Sequence, residues 1–188
     1  ADMADRLILV SFRHDLLRQA KELMPELRIG ILTLGDLLSM MLPPPVVWQD
    51  LGLVNSLDEP LDEENCPALK KQVGMVSSAI SDKLTLIAAL YPQMSVRQIL
   101  STLSAQADPA AYVQTLDFPV ELVSCEYHTA FGNPEVVNQL HDAGCKAAFW
   151  TVNTENVVRS LVPLGPDCFV TDRPDIIREW IARAEMET

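Results

Sequence analysis

The stretch "GCKAAFWTVNTEN", residues 144–156, decides how the rest of this chain is read. Ala147 to Trp150 is an apolar run too short for a helix, and it reads as a buried strand. Gly144 stops the helix before it, and Thr154 with Glu155 opens the one after. A strand buried on both faces and flanked by helices belongs to a parallel sheet. Trp150 and Asn153 then lie at or just past the strand's C-terminal end, where α/β folds keep their ligands.

The same alternation extends in both directions. "RLILVSF", 6–12, reads as a strand, and 14–27 as a helix with Leu16, Leu17, Ala20, Leu23 and Met24 at helical spacing. "RIGILTL", 28–34, is a second strand and "PVELVSCEY", 119–127, a third. Asn133-Pro134-Glu135 has the form of a helix start, an N-cap followed by proline. After the Trp150 strand and its helix, "CFVTD", 168–172, makes a fifth strand, and Pro174 opens a last helix. The expected fold is therefore α/β, one domain over 1–188, with about five parallel βα units and right-handed crossovers.

Residues 35–118 interrupt this order and form an insertion. "LPPPVVWQDLG" cannot be regular structure through Pro43, Pro44 and Pro45. The remainder reads as helical over 68–90, again after a Ser95 cap, and once more from Asp108-Pro109. Because the insertion leaves from the end of the second strand, it is expected to overhang any site at the strand ends. "MMLPPPVVW" reads as a packed loop, with a lipid- or partner-touching surface as the alternative.

Composition excludes several classes. The chain is 48% hydrophobic and 21% charged with a formal charge of −12, enough apolar material for one sizeable core. No basic tract interleaved with aromatics appears, so nucleic acid is not an expected partner. No apolar run reaches membrane-span length, and the first residues lack a signal peptide's basic start and cleavage site. A cytoplasmic location is the expectation. Cys66, Cys125, Cys145 and Cys168 are widely spaced, and they read as buried free thiols rather than a metal site or disulfides.

The C-terminal third carries a resemblance. Gly144, then Trp150-Thr151-Val152-Asn153, Gly165-Pro166-Asp167 and Thr171-Asp172-Arg173-Pro174 follow one another as at the end of the glycerophosphodiester phosphodiesterase family. "LILVSF", 7–12, with "RIGILTL" resembles that family's middle. The resemblance implies a TIM barrel that hydrolyses glycerophosphodiesters to an alcohol and glycerol 3-phosphate, using a divalent cation such as Mg or Ca. The family's chemistry lies in a His-Arg-Gly strand end, a Glu-x-Asp pair, a second His and a further Glu. None of these motifs stands in this sequence, whose histidines are His14, His128 and His141.

The reading that follows is the C-terminal portion of such a barrel. Its catalytic residues are not assigned, the isolated chain is expected to be inactive, and no cation is expected to bind it alone. Its substrate would be a glycerophosphodiester-type small molecule once the barrel is completed by a second copy or by the missing first half. The alternatives are a non-enzymatic binding or assembly module on a degenerate or half barrel, and an unrelated small parallel α/β domain. Trp150 and Phe12 end strands and read as pocket walls, against core packing as the plainer role. Glu126 and His128 alternate at the third strand's end and are candidates to face the same cavity, against a solvated loop. His14 reads as helix-start, His141 as a helix-end cation, and Asp172 as serving the start of the last helix.

Overall fold

A computed structural model describes residues 6–35, 44–76 and 78–187. By its contacts the chain divides into two compact units, residues 36–105 and the remainder on either side. The flanking unit holds a five-stranded parallel sheet: β1 (Ile8–Ser11), β2 (Arg28–Thr33), β3 (Leu122–Glu126), β4 (Lys146–Trp150) and β5 (Cys168–Phe169). The strands lie side by side in chain order, each parallel to the next. That consecutive order is the order of a barrel; a doubly wound sheet would reverse direction at a switch point.

Register sorts the side chains into two faces. Ile31, Val123 and Ala147 stand in one row and Thr33, Cys125 and Phe149 in the next. This face packs against helices that the sequence led one to expect, the first by its apolar spacing and the others by their start and stop signals. Leu17 comes from α1 (His14–Leu23), and Leu140 from the helix before β4 (Val136–Asp142). Leu161 comes from the helix after β4 (Glu155–Leu161), and Trp180 from the last helix (Ile177–Met186). The opposite face carries Gly30, Leu32, Ser124, Glu126, Ala148 and Trp150. Gly30 is needed there: a Cβ would meet Val10 Cγ2 at 3.1 Å and Leu122 Cβ at 3.2 Å.

The sheet unit resumes at Gln106, so the helix Pro109–Gln114 belongs with the strands, where Ala110 and Val113 join the core. Asp108 caps it by accepting from the Ala111 N–H at 2.9 Å. In the other unit a 3₁₀ turn (Pro45–Val47) precedes helices Pro67–Val76, Ser78–Leu90 and Val96–Ala105. Asn65 latches its loops, donating to the Ser56 and Pro60 carbonyls and accepting from the Ser56 N–H. Ser95 and Gln98 form the reciprocal capping box at the start of the third of these helices. Numbered in chain order, the helices are α1, α2 (67–76), α3 (78–90), α4 (96–105), α5 (109–114), α6 (His128–Gly132), α7 (136–142), α8 (155–161) and α9 (177–186).

Several local expectations are corrected. α6 was not foreseen, and Asn133 C-caps it instead of opening α7; the Asn133 side chain donates to Gln139 Oε1. α7 begins at Val136 behind Glu135, which makes no side-chain cap bond. Pro174 sits in a turn, and α9 starts only at Ile177. Cys66, Cys125 and Cys145 are buried free thiols, but Cys168 is exposed because β5 is a two-residue edge strand. In "MMLPPPVVW", Met40 to Pro43 lie outside the described residues; Val46 is exposed and Trp48 buried.

Candidate functional site

The strand ends bring together the residues singled out in the sequence. Trp150 ends β4 and Glu126 ends β3, and the two are register partners. The Trp150 indole N–H donates to the Ser124 carbonyl at 3.0 Å, which fixes the ring over the sheet's inner face. Phe12, one residue past β1, meets it edge to face with centroids 5.2 Å apart. The Trp150–Thr151 peptide is cis. Trp150 is 9% exposed, so it is walled in far more than a side chain at an open mouth would be.

Glu126 is buried, and both of its carboxylate oxygens turn onto His128. Oε2 accepts from the His128 backbone N–H at 2.9 Å; Oε1 and Oε2 lie 2.9 and 3.0 Å from His128 Nδ1. A chain that follows a strand's last carboxylate with a one-turn helix can fold the side chain back onto that helix's first N–H. The His128 ring stacks on Tyr127 with centroids 4.2 Å apart and lies perpendicular to Phe131 with centroids 5.8 Å apart. Burial and the adjacent Glu126 charge push the Tyr127 phenol up. Next to this group the Ser124 hydroxyl is buried without a hydrogen-bond partner.

The motif residues tie the loops around this cluster. Asn153 Oδ1 accepts from the Asp172 N–H at 2.9 Å and the Thr171 hydroxyl at 3.2 Å, while its amide donates to Asp172 Oδ2 at 2.7 Å. Asp172 therefore joins the loop after β5 to the loop after β4. It does not cap α9, whose N-cap Ile176 makes no side-chain bond. At the opposite end of the sheet Asp167 Oδ2 accepts from the Ala147 N–H and from His141 Nε2, both at 2.8 Å. Burial works against the Asp167 charge, yet the Ala147 and His141 bonds outweigh it and hold the carboxyl below its usual range.

His141 thus sits in the last turn of α7, as expected, with a carboxylate partner besides. His14 opens α1, and its ring is committed elsewhere: Nε2–H donates to the Leu32 carbonyl at 3.0 Å, and Nδ1 accepts from the Tyr112 hydroxyl at 2.7 Å. Burial lowers its pKa, which suits this neutral form. The sequence reading missed Tyr127 and Phe131 as companions of His128. Their i, i+4 spacing across "YHTAF" would have shown them, had a helix been read there.

Among the described residues, no group of three or more His, Cys, Asp and Glu side chains could hold a metal ion. Glu126 and His128 are ligand-type groups, but they turn on each other and fall short of the several oxygen ligands that Mg or Ca requires. The residues described here do not fit the cation that the family's enzymes use. No helix among the described residues is long and apolar enough to cross a membrane.

Comparison with known proteins bears on the fold and the family. The solved structure of a Silicibacter pomeroyi protein, provisionally named a glycerophosphoryl diester phosphodiesterase, superposes with a TM-score of 0.50 at 18% identity. The match covers 97% of this chain and 40% of that one, so this sheet corresponds to part of that barrel. No curated protein matches the sequence. The sequence model of the glycerophosphoryl diester phosphodiesterase family matches residues 54–176. With well over half its length inside that match, this chain belongs to the glycerophosphoryl diester phosphodiesterase family.

Proposed function

We propose that the chain is the C-terminal portion of a glycerophosphodiester phosphodiesterase-like barrel and supplies the substrate-facing wall of its site. The observation that carries this reading is the cluster of Phe12, Trp150, Glu126 and His128 at the C-terminal ends of β1, β3 and β4 in one parallel sheet. In parallel barrels that end is where ligands bind. Phe12, half-buried and backed by the buried Trp150, offers an apolar surface for the carbon skeleton of a glyceryl or alcohol group, and the partly exposed His128 ring, held by Glu126, offers polar contact beside it. Phosphodiester hydrolysis also needs a group that stabilises charge on the phosphoryl oxygens and a proton for the leaving alcohol. The sequence lacks the family's motifs for both. The isolated chain is expected to release no glycerol 3-phosphate from glycerophosphocholine with magnesium or calcium, compared with a heat-killed control. Sustained release above that control refutes the reading.

A second reading, an assembly module without its own chemistry, draws on one observation. Leu7, Leu9, Leu16, Leu23 and Met24 are all exposed along β1 and α1, at the sheet edge that pairs with nothing among the described residues. An apolar strand edge of this kind is an association surface. Its candidate partners are a second copy or a preceding strand-helix segment. Concentration-dependent light scattering separates this reading from a monomer whose edge is already covered.

A further inference from the structure

The hydrogen bonds at the end of β3 fix more than the position of His128. Its Nδ1 lies nearly equidistant from the two oxygens of Glu126, 2.9 and 3.0 Å away. One N–H shared between two acceptors gives that geometry. A protonated carboxyl has a single O–H and would favour one oxygen. Glu126 Oε2 also accepts from the His128 backbone N–H, a second contact in which the carboxylate is the acceptor. Both observations place the ring proton on Nδ1, so in the neutral ring Nε2 carries the lone pair. Among the described residues Nε2 has no hydrogen-bond partner, and the His128 side chain is 42% exposed. Tyr127 stacks on one ring face and Phe131 stands perpendicular to the ring, so the imidazole is packed from two sides.

We propose that His128 Nε2 is a specificity-determining hydrogen-bond acceptor that recognises a hydroxyl donor of the ligand, and that Glu126 is the positioning residue that sets this tautomer. This rests on the reading that the strand ends face a glycerophosphodiester. It adds which part of that molecule His128 meets. An acceptor nitrogen attracts a hydroxyl and turns away phosphoryl oxygens, which themselves only accept. The glyceryl hydroxyls therefore lie at His128, and the phosphate must be held by other residues.

The test uses the whole chain labelled with ¹⁵N in its histidines, at alkaline pH. The ring spectrum of His128 is expected to show the Nδ1–H tautomer. The wild-type chain is then titrated with sn-glycerol 3-phosphate and with methyl phosphate, two phosphate monoesters of like charge of which the first has hydroxyls. The expected result is about fivefold tighter binding of glycerol 3-phosphate, the factor given by one net hydrogen bond of about 1 kcal/mol, with the Nε2 resonance moving on binding. His128→Gln keeps an acceptor near the Nε2 position and should retain the preference. His128→Phe should erase it, and Glu126→Ala should mix the tautomers and weaken it. An Nε2–H tautomer in the free chain overturns the proposal whatever binds. A fixed Nδ1–H tautomer with equal binding of the two esters, or with no saturable binding of either, overturns the recognition role. None of these results bears on whether the isolated chain hydrolyses glycerophosphocholine, so failure here is distinct from failure of the partial-barrel reading.

Discussion

Replacing Asn153 tests whether the family motifs of this chain are chemical or architectural. Its carboxamide makes three hydrogen bonds to Thr171 and Asp172, at 2.7, 2.9 and 3.2 Å, and so joins the loop after β4 to the loop after β5. Each such bond contributes a net of about 0.5–1.5 kcal/mol, and exposure places these at the low end. Asn153→Ala should therefore cost about 1–2 kcal/mol. Asn153→Asp keeps an acceptor oxygen toward Asp172 N–H but sets its second oxygen against Asp172 Oδ2, where the amide now sits 2.7 Å away. Two unit charges at that spacing repel by about 1.5 kcal/mol even with the full dielectric of water.

The two variants should be comparably destabilised at neutral pH and then part company. Paired carboxylates hold a proton more tightly in the folded chain than in the unfolded one. The folded state then binds more protons, and the stability of the Asp variant falls as pH rises. Below about pH 4 one carboxyl is protonated, and the Asp variant should recover most of its deficit while the Ala variant does not. Added salt at neutral pH should shrink the Asp deficit alone. Urea melting across the pH range is the assay. Parallel deficits for both variants at every pH would refute the clamp geometry.

Trp150→Ala should cost about 3–5 kcal/mol in urea melting, since the indole is 9% exposed and bonded to the Ser124 carbonyl; a loss under about 1 kcal/mol would mean an open wall. His14 is held neutral by burial, so the unfolded chain takes up more protons as pH falls through the ordinary imidazole value of 6.5, and stability should drop in that window. His14→Gln should flatten that slope, and an unchanged slope between pH 7 and about 5 would show that the ring is charged in the fold.

What the sequence made legible follows from how local each signal is. The strands were readable because apolar runs such as "KAAFW" and "LVSCE" are bounded by turns and buried from both sides. Gly144 was readable because its φ of +80° is a conformation that other residues avoid. The polar end of β3 was readable in part: Glu126 was placed toward the site together with His128, whereas Ser124, on the same face two residues earlier, was not singled out. α6 was hidden because five residues carry too little periodicity, and Asn133-Pro134 imitates a helix start while serving as the end of another helix. The Asp167 contacts with Ala147 and His141 were also invisible, since residues 20 and 26 positions apart declare no pairing in a single sequence.

Strand β5 pairs through two residues, Cys168 with Ala148 and Phe169 with Phe149, with backbone bonds from the Asp167 and Val170 N–H groups to Ala147 and Phe149, a short ladder for a strand at the end of the sheet. Asp167 pins one end to β4 and α7, and the Asn153–Asp172 contact pins the other. The strand behaves as a beam fixed at both supports, stiff because of its fastenings and not because of its own length. Mechanical and evolutionary tolerance should be distributed accordingly. Within the span Cys168 and Val170 are exposed and free to vary while Phe169 packs against the core, whereas loosening either support releases the whole strand together with the loop that leads into α9.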